Sequence, residues 1–205
     1  MIQQLPRYGA RALSMALHPL ILPLYLLAML FTQTAFSLFP NGAKWYLGGA
    51  VILYGVVIPM VSVALLRWKG LLKDWKLHTR KERILPLLVG AVSYFVCAIV
   101  IARVPQADFL RKFVLAAACC ELMCLLVSLE WKISLHLTGM GAAVALLVVL
   151  NILGLSQLFP MLLMTILAAG LLASARLYLG YHNIWQVLAG FFGGFLLMWE
   201  VLMWL

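Results

Sequence analysis

The stretch LHLTGMGAAVALLVVLNILG, residues 135–154, holds no Asp, Glu, Lys or Arg in twenty positions. A helix of that length rises about 30 Å, the thickness of a bilayer's hydrocarbon core, so the run reads as a membrane-spanning helix. Its one imidazole, His136, stands at the very start, two residues after Ser134 and four after Lys132. An ionisable group at a membrane boundary is costly unless something compensates it, so it points to a site.

Working outward, the same apolar character fills the chain. Of its 205 residues 66% are hydrophobic and 10% charged, with mean hydropathy +1.08. A soluble domain has roughly twice as many charges, so this composition belongs to a polytopic membrane protein. The fold expected is an all-α membrane helical bundle of six to seven transmembrane helices. It forms one integral membrane domain over 1–205, with a motif-bearing core at about 74–194. Candidate spans are 19–39, 45–66, 84–104, 113–129 (a short one), 135–154, 157–175 and 184–204. The apolar run after Arg7 and Arg11 reads as a retained first span, because no small-residue cleavage site follows it. Fifteen Lys and Arg against six Asp and Glu give a net charge of +9. That surplus suits anionic headgroups or an anionic substrate; no basic stripe interleaved with aromatics suggests nucleic acid.

The polar residues are not scattered. They gather after the second, fourth and sixth spans, and connections two helices apart lie on one face of the membrane. The first segment carries Lys76 and Arg83, the second Ser134 and His136, the third Arg176 and His182. Fixed cations with a hydroxyl make a pocket for phosphate, since guanidinium matches its oxygens bidentately. One imidazole can attack phosphorus and another can protonate the departing alkoxide. Cations around the equatorial oxygens would stabilise the transfer with no metal and no cofactor.

These segments resemble the signature of the type 2 phosphatidic acid phosphatase superfamily, K-x6-R-P, P-S-G-H and S-R-x5-H-x3-D. Lys76 and Arg83 have the first spacing, Ser134 and His136 the second, Arg176 and His182 the third. The resemblance implies a metal-independent lipid phosphate phosphatase with a phosphohistidine intermediate. His182 would be the nucleophile, and His136 the acid for the leaving alcohol and then the base for water. Lys76, Arg83, Ser134 and Arg176 would bind the phosphoryl group. The sequence departs from the pattern: Pro86 stands two places late, Ile133, Leu135 and Ala175 replace a proline, a glycine and a serine, and Gln186 replaces the aspartate. On a helix His182 and Gln186 share a face, so the amide oxygen can orient the ring but supplies no charge. In the serine-protease template an amide in place of the carboxylate lowers turnover by about 10⁴, largely through the wrong tautomer.

Two other functions fit the same residues. A catalytically weak relative would bind lipid phosphates as a sensor or partner subunit, which Gln186 favours. An anionic-lipid transporter would use Glu121, the most anomalous residue inside a span. Haem ligation by the two histidines fits poorly, because they sit at helix ends beside cations. The four cysteines read as buried packing residues, and His18 and His78 as interfacial. Gly139, Gly141, Gly190, Gly193 and Gly194 read as close helix packing. The face with the three segments carries eleven Lys and Arg, the other four (Lys44, Arg103, Arg111 and Lys112). The positive-inside rule then opens the site to the cytoplasm, and a bacterial inner membrane is the expected location. The ligands expected are membrane lipids and a lipid phosphate delivered laterally.

Overall fold

The structure is a computed structural model that describes residues 5–70, 80–154 and 158–205. It is all-α: α1 (Leu5–Ala16), α2 (Leu22–Gln33), α3 (Asn41–Ile52), α4 (Ile58–Trp68), α5 (Arg80–Ile101), α6 (Asp108–Glu130), α7 (Leu135–Ile152), α8 (Phe159–Tyr178) and α9 (Ile184–Trp204). A π-helical segment, Leu53–Val57, joins α3 to α4 as one apolar rod. Six helical stretches are long and apolar enough to cross a membrane, which makes this an integral membrane protein.

Two expected spans differ from their sequence readings. Residues 19–39 do not form one long helix: α2 is only twelve residues, followed by a 3-10 turn at Ala35–Leu38. Thr34 ends it by adopting an extended backbone and taking the Phe36 N–H on its hydroxyl. The fourth span is longer than 113–129, because Asp108 at the N-terminus of α6 pairs with Arg111 (2.7 Å) and Lys112 (3.5 Å). An acidic first turn suits the helix dipole and carries the helix past the apolar run. Neither change alters parity among the three polar connections.

The core centres on α7, which is sandwiched by α9, α6 and α8. Glycines bring α7 and α9 together. A Cβ at Gly141 would collide with the Phe191 carbonyl, and one at Gly194 with the Thr138 carbonyl. Small residues here let backbones touch where lipid supplies no hydrophobic drive. The α3–α4 rod is looser. Its π-segment frees carbonyls that α5 satisfies: Ser93 donates to Tyr54 O, and Tyr94 Oη to Gly55 O at 3.4 Å.

Candidate active site

The start of α5, the α6–α7 connection and the α8–α9 connection meet at one end of the bundle. Arg83, at the start of α5, donates from Nη1 to the Ile133 carbonyl at 3.3 Å. Ser134 N–H donates to the Gln186 carbonyl at 3.3 Å, tying the α6–α7 connection to α9. Gly190 permits this approach, since a Cβ there would stand 2.7 Å from the Ser134 carbonyl. Of the six residues expected to converge, Arg83, Ser134, His136, Arg176 and His182 lie at this end of the bundle; Lys76 lies outside the described residues, as does His78.

Each side chain is placed by local structure. α8 ends in a Schellman turn: Gly180 has φ 68°, its N–H bonds Leu177 O, and Tyr181 N–H bonds Arg176 O at 3.2 Å. That turn sets the Tyr181 ring beneath the Arg176 guanidinium, 4.6 Å from carbon to centroid. Arg176 is 9% exposed, its Nε has no hydrogen-bond partner, and no carboxylate pairs with it among the described residues. A buried guanidinium without an anion is costly by several kcal/mol. Ser134 occupies the N-cap of α7, yet its hydroxyl makes no cap bond and is fully buried without a partner. Serine at this position normally gives its oxygen to the first turn. Here that hydroxyl is left over, at a helix N-terminus that favours anions.

The capping box of α9 decides the state of His182. Gln186 N–H donates to Asn183 Oδ1 at 2.9 Å, and Asn183 N–H donates to the Gln186 side chain at 3.1 Å. A backbone N–H can only donate, so the Gln186 atom it meets is Oε1. The same oxygen lies 3.1 Å from His182 Nδ1. Nδ1 therefore carries the proton, and Nε2 keeps the lone pair. Glutamine thus supplies the orienting half of what a carboxylate would do and omits the charge. Burial first, then the cations Arg176 and Arg83, hold the His182 pKa down at about 4, so the ring is neutral at pH 7. Lys132 is lowered from its usual range by burial and by the same two guanidiniums.

His136 is held differently. Its Nε2 lies 3.0 Å from the Ser14 carbonyl of α1, which can only accept, so Nε2 carries the proton. The acid role expected of His136 needs that proton at the leaving oxygen, whereas this arrangement gives it to Ser14. His18 stands edge-on to the His136 ring, with centroids 5.3 Å apart.

A cavity of about 550 Å³ opens at this end and runs into the bundle. Arg83, Lys132, His136 and Arg176 line its cationic part; Leu22, Leu26, Pro59, Val63, Leu87 and Phe113 line its apolar part. Glu121 lies on its deeper wall, packed on Gly90, where any side chain would displace the carboxyl group. His182, Ser134 and Gln186 are not on the cavity wall, although His182 is within the field of Arg176 and Arg83. Sequence reading missed Arg11, Ser14, His18 and Tyr181 as wall residues. Tyr181 was findable, because it follows Gly180 after Arg176. The α1 residues meet the site across more than a hundred positions, and no local spacing announces that. No family model matches this chain, and no curated protein or solved structure matches it.

Proposed function

We propose that this protein is an integral-membrane phosphatase that hydrolyses a lipid phosphate monoester or diphosphate through a phosphohistidine, without a metal. The observation that carries the reading is the pair of buried, unpartnered polar groups, Ser134 Oγ and Arg176 Nε, at the end of the bundle that also holds Arg83 and His182. A phosphoryl group supplies the acceptors and the negative charge that those donors lack. His182 Nε2 bears the lone pair and attacks phosphorus; Arg83, Arg176 and Ser134, with Lys76, bind the oxygens. Arg176 leaves the Tyr181 ring to do so. His136, whose Nδ1 keeps a lone pair, takes a proton from the water that cleaves the N–P bond. A cationic cavity end continuous with an apolar body fits a headgroup phosphate with its lipid chain. The excess of Lys and Arg on the face with the three segments supports a site open to the cytoplasm, at an inner membrane.

The test is release of inorganic phosphate from a panel of lipid phosphates in detergent. Release should resist chelators, be blocked by vanadate, and fall at least roughly 10³-fold in His182→Ala. Undiminished release in that variant contradicts the mechanism. A second reading, a non-catalytic binder of lipid phosphates, is favoured by Gln186 and by the position of His182 off the cavity wall. It predicts lipid phosphate binding, abolished by Arg176→Ala, with no turnover in the native chain.

A further inference from the structure

The breaking bond needs a donor at the oxygen that leaves phosphorus, and His136 has its Nε2 proton on Ser14 O. His18, in the turn between α1 and α2, stands at the same place with its proton differently disposed. Leu20 N–H donates to His18 Nδ1 at 3.3 Å, so the ring proton is on Nε2. The ring lines the cavity, lies edge-on to His136 at 82°, and is within the field of Arg176. The N-terminal helix that leads into its turn is joined to the site by the Ser14 bond, so the placement is built and not a stray surface contact.

We infer that His18 is a catalytic residue of this site, its Nε2–H hydrogen-bonding the ester oxygen as that oxygen departs. The assignment rests on the phosphatase reading. The His182 Nε2 lone pair forms the N–P bond while the P–O bond breaks, leaving its electron pair on the lipid oxygen. The water that cleaves the N–P bond gives one proton through His136 Nδ1 to the lipid oxygen, completing the alcohol, and keeps its other proton on the phosphate it releases. His18 ends the cycle as it began. Burial and the neighbouring Arg176 lower its affinity for a second proton, which preserves the Leu20 bond. A neutral imidazole N–H fixed in place stabilises developing oxygen charge without itself ionising.

Leaving-group dependence separates this role from a structural one. The full chain in detergent is assayed on a diacyl phosphatidate, whose alcohol leaves poorly, and on para-nitrophenyl phosphate, whose phenolate needs no donor. His18→Gln and His18→Asn should each lower phosphate release from phosphatidate roughly 100-fold and from the aryl ester by under about threefold. Equal loss on both substrates in both variants, or no loss on phosphatidate, overturns the assignment. So does the same split appearing in His136→Gln but in neither His18 variant. A native chain silent on both substrates instead removes the phosphatase reading, and this inference with it.

Discussion

The two sides of the cavity are built to different tolerances. In the α7 span 67% of the apolar window is buried, against 22% in the α3–α4 rod. On the α7–α9 side, glycines press backbone on backbone, and the capping box and Schellman turn hold His182 and Arg176 on that framework. On the other side α1, a twelve-residue α2 and a rod with a π-segment form a thin wall. Under the proposed phosphatase reading the contrast assigns two tasks. The dense half would fix the geometry of the reacting groups, because close-packed interiors transmit small displacements. The sparse half would bound the space for an amphiphile.

Substitutions at glycine should break this comparison most sharply. Gly194→Val places atoms against the Thr138 carbonyl and should destabilise the fold by about 3 kcal/mol or more. Gly49→Val, on the α3 surface with nothing within 4 Å, should leave stability nearly unchanged. Thermal unfolding of both variants in detergent checks the pair, and equal effects would remove the distinction between halves.

Acid tests the dense half through His182. Its pKa of about 4 lies below the usual 6.5, so the unfolded chain binds more protons between those values. Stability contributed by the neutral ring is fully present above about pH 6.5. It is lost as pH falls toward about 4, by up to about 3 kcal/mol. His182→Gln should flatten part of that slope in a melting-temperature series, and an unchanged slope would show the ring to be solvated.

Gln186→Glu sharpens the comparison with the smallest effect. The carboxylate keeps the reach to His182 Nδ1 and to the Asn183 N–H and adds the missing charge. Since the tautomer is already correct, the gain in turnover should be roughly tenfold, about one pKa unit of imidazolium stabilisation. A gain near 10⁴ would mean the glutamine does not orient the ring as the capping box indicates.

Much of this was legible in sequence, and the reasons differ by region. The long spans announce themselves because twenty uncharged residues have few alternatives to a membrane helix. That Arg83, Ser134, His136, Arg176 and His182 lie at one end of the bundle was readable because helix parity returns their connections to one face. The break at Thr34 was not, since it depends on one hydroxyl choosing a local backbone partner. Nor was the part played by Ser14 and His18, which touch His136 only after α1 folds back over the site. Which atom of the Gln186 amide faces the ring is fixed by Asn183, a residue whose importance appears only once the capping box has formed.

Covalent transfer to His182 is the central claim of the proposed mechanism. Rapid quenching of the native chain with phosphorus-labelled lipid phosphate should trap label on protein that is stable to base and lost in acid, and peptide mapping should place it at His182. Phosphate release without any such species, or label that persists in His182→Ala, would contradict it.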